Sequence, residues 1–231
     1  MGMADNETRG DNAYRAILEA IREGVYKPGD RLREEEVAQR LGMSRTPVRE
    51  AFGRLLEKGL LQPAPGRGLA ITVLEMDQIF ELYAVRAEFE GLVARFAAQH
   101  ATDAEIFNLK HVNRQFAAAG SAKEAARINR QFHARLYDAA RNRYLRNAVE
   151  DLQESIALLP VTTFARKGRI AEAVDEHERI IAAIERRDMQ SAADAAREHI
   201  SRALAARLEL AVQSTADQMP RHRKRTSPSS T

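Results

Sequence analysis

The sequence predicts a mainly α fold: a small N-terminal unit closed by a β-hairpin, followed by an all-helical bundle. Three observations carry this. Apolar residues recur at three- and four-residue spacing from residue 76 to about 213. Only one stretch, 60–73, sets two short apolar, partly β-branched pieces around a Pro/Gly tip. The 231 residues are rich in Ala and Arg with only 6% aromatic, a balance that favours helix and leaves length for one large or two small domains.

The elements follow in order. Residues 1–10 are polar and are expected to be disordered. Between 12 and 24, Tyr14, Ile17, Leu18 and Ile21 share a helical face, and Gly24 suits the stop. Tyr26-Lys27-Pro28-Gly29-Asp30 reads as a turn, and a short helix follows over 33–41 before Gly42-Met43 breaks it. Ser44 is a good N-cap for a helix over 45–58, with Pro47 in its first turn, where a missing N–H costs little. Its apolar side is Val48, Ala51, Phe52, Leu55 and Leu56. The pieces 60–63 and 69–73 then flank a hairpin tip at 64–68. Helix, short helix, glycine turn, second helix and hairpin is the order of a winged helix-turn-helix, assigned here to 11–74.

Beyond a boundary near 74–77 the pattern gives helices at 76–100, 103–118, 122–140, 142–159, 166–187 and 189–213, an all-helical unit over 77–213. Thr102-Asp103-Ala104-Glu105 and Ser121-Ala122-Lys123-Glu124 are capping boxes, and Asp188 can cap the last helix. The Ser/Thr/Pro-rich, basic stretch 214–231 is expected to be disordered.

Composition excludes several functions. With no cysteine there is no disulfide frame, thiolate metal site or thiol switch. No apolar run reaches the roughly 18–20 residues of a membrane span, and the polar start is no signal peptide, so a cytoplasmic protein without membrane contact is expected. The net charge of +3 belongs to the tail, where Arg221, Arg223, Lys224 and Arg225 outweigh Asp217. DNA binding must therefore rest on where charges stand. A recognition helix enters the major groove N-terminus first, which makes Ser44, Arg45, Thr46 and Arg49 the readers. Arg45 and Arg49 share a face and can pair with guanine edges or grip phosphate. Ser44 and Thr46 suit phosphate beside the helix start, while Gly66 and Arg67 at the hairpin tip can approach the minor groove.

The run Leu41-Gly42-Met43-Ser44-Arg45-Thr46-Pro47-Val48-Arg49-Glu50-Ala51, with the Gly-rich hairpin, resembles the GntR family of regulators over 11–74. The resemblance implies DNA contacts at Arg45, Thr46, Arg49 and Gly66. Glu35 departs from it, standing where some members place a DNA-contacting arginine, with Arg31 and Arg33 as the candidates to compensate.

Three histidines lie on apolar helix faces: His133 with Asn129, Leu136 and Ala140; His177 with Ile170, Val174, Ile181 and Ile184; His199 with Ala192, Ala196, Ala203 and Ala206. Periodicity leaves two readings open, satisfied core histidines or three neutral donors for zinc, nickel or a related divalent metal, with Asn129 as oxygen donor. Asn129-Arg130-Gln131-Phe132-His133, His177 and Arg197-Glu198-His199-Ile200 are similar to the FCD ligand-binding domain of the FadR-type GntR branch. That resemblance implies an Asp/His3 metal site sensing small carboxylates, with Asn129 at the aspartate position. Arg86 and Glu90 share the face of Ile79, Leu82, Val93 and Ala97. They read either as an ordinary ion pair or, by the resemblance, with Arg86 as a carboxylate-gripping group in the cavity. The expected function is a homodimeric, non-enzymatic regulator, a repressor, on a two-fold operator. A small carboxylate bound near a metal, zinc first, controls it. The alternatives are a metal-responsive regulator without organic effector and a metallohydrolase, the latter lacking HExxH.

Overall fold

The computed structural model describes residues 8–66, 68–159 and 161–218. The expected disorder of 1–7 and 219–231, the reader Arg67 and the tail's His222 lie outside them.

The first helix, α1 (Arg9–Arg22), starts earlier than its apolar stripe suggests. Thr8 and Asp11 form a full capping box, with the Asp11 N–H on Thr8 Oγ1 at 3.1 Å and the Thr8 N–H on Asp11 Oδ2 at 3.0 Å. Two polar side chains therefore order a stretch whose composition reads as loose. α2 (Glu34–Leu41) stops at Gly42, whose φ of +64° closes the turn into α3 (Arg45–Glu57). Ser44 holds the N-cap position of α3, yet its side chain makes no capping hydrogen bond. Val48, Ala51, Phe52 and Leu55 are buried as expected, whereas Leu56 is 41% exposed and faces outward.

The hairpin forms from β2 (Leu61–Pro63) and β3 (Leu69–Ile71), and a third strand, β1 (Arg31–Leu32), pairs antiparallel with β3 in the order β1-β3-β2. β1 lay within the segment between turn and helix. Two residues carry no alternation, and tertiary pairing alone makes them a strand.

The helical unit comprises α4 (Met76–His100), α5 (Asp103–Ala117), α6 (Ala122–Ala140), α7 (Arg143–Ile156), α8 (Arg169–Glu185) and α9 (Met189–Gln218). α4 lies along α9 and also touches α6 and α7, α5 packs between α6 and α8, and α8 rests on α9. Phe116, Phe132, Leu109, Leu136, Ile180 and Ile184 fill the centre. Two helices are shorter than expected. α7 ends at Ile156 and α8 begins at Arg169, after a 3-10 turn at Thr163–Ala165 and Gly168 at φ +83°. The linking segment splits its apolar residues. Leu158 enters the core of the N-terminal unit, and Leu159 packs with Ile79, Tyr83, Ile200 and Ala203. The last helix runs past 213 to Gln218. No helix among the described residues is long and apolar enough to cross a membrane.

Candidate functional site

The start of α3 offers Ser44, Arg45, Thr46 and Arg49 on one exposed surface. A carboxylate from α2 already organises it. Arg49 donates from Nε to both Glu34 oxygens at 3.2 and 3.1 Å and from Nη2 at 2.9 Å. Arg45 Nη2 lies 3.6 Å from the same carboxylate. The Arg49 hydrogen bonds hold the Glu34 carboxyl below its ordinary range. Both arginines stay exposed, so water and salt screen the contact and it ties them only weakly. Gly66 sits at the hairpin tip with φ +94° and open space where a Cβ would go, so backbone conformation alone demands glycine there. Arg31 reaches the Pro65 carbonyl at the same tip, and Arg33 pairs with Glu36. Glu35 is exposed on α2.

Inside the helical unit the three histidines converge. One ring nitrogen from each of His133, His177 and His199 lies within 4.8 Å of the others, and all three side chains are buried. Each ring has a separate partner on its far nitrogen. His133 Nδ1 meets Glu90 Oε2 at 3.1 Å, and His199 Nδ1 meets Glu176 Oε2 at 2.7 Å. His177 Nδ1 meets Asn113 Oδ1 at 3.0 Å, while Asn113 donates its own amide to the Val174 carbonyl. A carboxylate or amide oxygen only accepts, so each Nδ1 must carry the proton. The Nε2 lone pairs then point inward. His199 Nε2 and His133 Nε2 stand 3.3 Å apart, and His177 Nε2 has no partner. Asn129 Oδ1, from the turn before His133, is likewise buried without a partner.

For His177 and His199 the electrostatics agree with an uncharged ring. Burial, then the neighbouring imidazoles and Arg169, push His177 well below the ordinary histidine range. His199 is pushed down by burial, His133, Arg86 and Arg169. Burial works to raise Glu90, but His133, Arg86 and the Tyr137 hydroxyl outweigh it and bring the carboxyl down to about 2. Glu176 receives both Arg169 amino groups at 2.8 and 2.7 Å. Two buried carboxylates thus face two buried guanidiniums, Arg86 and Arg169, around the three imidazoles, and these permanent charges cancel. Arg86 pairs with Glu90 at 3.5 Å, and it also lines a cavity.

That cavity, about 690 Å³, opens onto the centre through His199, Asn129 and Arg86 and runs to the seam with the N-terminal unit, where Glu19, Arg22 and Tyr26 line it. Sequence reasoning missed Asn113, Arg169 and the anchoring role of Glu176, and it read Glu90 only as a partner for Arg86. Their function is to hold histidines, and no local spacing announces contacts 43 or 64 residues apart.

A chain of contacts leads from this centre to the DNA-reading unit. Tyr137 donates to Glu90 Oε1 at 2.7 Å and accepts from Gln153 of α7 at 3.0 Å. The next residue, Glu154, accepts from the Tyr14 hydroxyl of α1 and from Lys58 after α3, both at 2.7 Å. Asp151 takes a second Lys58 contact at 2.7 Å.

Comparison with known proteins matches residues 9–71 to the model of bacterial regulatory proteins of the gntR family and residues 81–202 to the FCD domain. The chain is 30% identical over 184 residues, 78% of its length and 82% of the relative's, to the uncharacterized HTH-type transcriptional regulator YdhC of Bacillus subtilis. It is 30% identical to the probable D-xylose utilization operon transcriptional repressor of Paenarthrobacter nicotinovorans, over 80% of this chain and 82% of that one. Among solved structures, Escherichia coli McbR/YncC superposes with a TM-score of 0.81 at 21% identity, covering 89% of this chain and 99% of that one. These proteins are transcription regulators, and the hydrolase alternative falls with them. The site agrees: Glu90 and Glu176 bind the outer nitrogens of the histidines, away from where a base would serve a water on the inner side.

Proposed function

Because the chain belongs to the GntR family of bacterial transcription regulators, with an FCD domain behind its DNA-binding half, we propose that it is a homodimeric repressor relieved by a small carboxylate bound beside a divalent metal. Residues 11–74 would read DNA, and 77–213 would bind effector and form the dimer. One observation carries the metal reading. Every Nδ1 of the three histidines is occupied by its own acceptor, which leaves three Nε2 atoms and the orphaned Asn129 Oδ1 to share one ligand. Two lone pairs 3.3 Å apart repel unless a cation lies near them. Neutral nitrogen donors with an amide oxygen suit zinc first and nickel next. When bound, the cation supplies a positive anchor for an anion. Asparagine in place of aspartate leaves its charge undiminished.

The chain's own residues do the remainder. Glu90, Asn113 and Glu176 fix ring orientation. Arg86 stands at the cavity wall to orient a carboxylate. The Glu90–Tyr137–Gln153 chain joins the centre to α7, and Glu154 joins α7 to α1 and to Lys58. An effector that shifts α4 or α6 thereby changes how the reading heads are held, which is the differential binding that regulation requires. At the DNA, Arg45, Arg49, Ser44 and Thr46 make the contacts, with Gly66 and Arg67 at the wing.

The test pairs two measurements on one protein. Purified wild type should bind about one equivalent of zinc or nickel per chain by mass spectrometry of the metal, and the double variant His133→Ala/His177→Ala should lose it while still binding operator DNA. Retained metal in that variant would refute the centre.

A further inference from the structure

Resting on that reading, the effector site has a second anion-binding pole. We propose that the effector is a dianion whose second carboxylate is taken by Arg130 in place of Glu19, so that ligand binding opens an ion pair joining the two halves of the chain. Three observations converge on this. The first is charge. Around the histidines the carboxylates and guanidiniums already cancel, so a divalent cation leaves an excess of about two charges in a buried site, and a monocarboxylate neutralises only half of it.

The second is space. The 690 Å³ cavity is within the usual range of about 300–1,000 Å³ for drug-sized ligands, far more than one carboxylate at the metal occupies. It also has direction, running from His199 and Asn129 to the seam. The third is what waits at the seam. Arg130 of α6 and Arg22 of α1 share one carboxylate, Glu19, through long contacts of 3.4 and 3.5 Å. Arg22 Nε is buried without any partner, and Arg127 lies beside them on the cavity wall. Burial, with Arg22 and Arg127 adding to it against Glu19 and Glu23, holds Arg130 below the ordinary arginine range. One carboxylate, held at long range, therefore serves a cationic group that would accept another. Glu19 belongs to the DNA-binding unit and Arg130 to the effector unit, so the exchange has a mechanical consequence. Lys123–Glu23 at 3.6 Å is the neighbouring tie across the same seam.

The experiment titrates the zinc-loaded full-length protein calorimetrically with butyrate and with succinate, glutarate and adipate. The expected result is that one dicarboxylate binds roughly tenfold or more tighter than butyrate. Arg130→Gln should abolish that preference while leaving butyrate affinity unchanged, and Glu19→Gln should strengthen dicarboxylate binding severalfold. Equal affinities for butyrate and every dicarboxylate would overturn the second pole, as would a preference that survives Arg130→Gln. In both cases butyrate binding still upholds the metal-centred reading. Binding of none of the four would overturn that reading and this one together.

Discussion

Asn129 is the side chain on which the strength of the metal centre turns. Its Oδ1 is buried and unpartnered one helical turn from His133, where an amide gives a weaker donor than a carboxylate. Asn129→Asp should raise zinc affinity by about tenfold or more, read by competition with a chromogenic chelator, while weakening carboxylate binding because it spends part of the cation's charge. Unchanged zinc affinity would remove Asn129 from the ligand set. On the DNA side, Arg49 is exposed and held by Glu34. Arg49→Ala should abolish specific operator binding in fluorescence anisotropy and leave the melting temperature within a degree or two, whereas retained affinity would displace the contact assignment. Much at this scale was legible. Three histidines on apolar faces are a pattern of spacing, and spacing survives in sequence. Their anchors are not: Glu90, Asn113 and Glu176 come from α4, α5 and α8, and only packing brings them to the rings.

The elements show where pattern reading succeeds and where it overruns. The borders of α4 and α6 matched expectation, because strong caps stand beside long apolar stripes: Glu75 and Gln78 at the start of α4, Ser121 ahead of α6. α7 was drawn through Leu158 and Leu159 because both continue the apolar count. In the structure they leave the helix and point into two different cores. Sequence periodicity cannot separate a residue that serves its own helix from one that serves another domain. Leu158→Ala should destabilise the protein by about 2–5 kcal/mol, since it empties a site in the core of the DNA-reading unit. A urea melt measures this, and a loss below half a kcal/mol would mean the junction is not packed as described. Glu154→Gln weakens the contacts that tie α7 to Tyr14 and Lys58. It should leave zinc content unaltered and reduce the change in operator affinity that a carboxylate effector produces.

At the scale of the whole molecule, a DNA-reading head and a basic cavity that reaches the buried histidines share one seam, and local charge explains each better than the total does. The net +3 resides in the C-terminal stretch, so the reading face works by local placement of arginines. The buried imidazoles also set a pH dependence. His177 and His199 titrate well below 6.5 in the folded chain, so the unfolded chain binds more protons as pH falls through that value. Stability of the metal-free protein should therefore be full above about pH 7 and decline as pH falls below 6.5. It should level off only once the folded histidines protonate. Glu90, held near 2 in the folded chain, adds a loss of the same sign only below about pH 5.5, where the unfolded carboxyl starts to protonate, and so contributes nothing to a comparison made above that value. Urea melts of metal-free protein at pH 7.5 and 5.5 would show it, and equal midpoints would contradict the assignment of neutral rings. The most direct measurement is a crystal structure of the zinc-saturated protein with anomalous data at the zinc edge. The account predicts one strong peak about 2.0–2.1 Å from the Nε2 atoms of His133, His177 and His199, on the side of Asn129 Oδ1. No peak there, with the imidazoles hydrogen-bonded to one another, would contradict it.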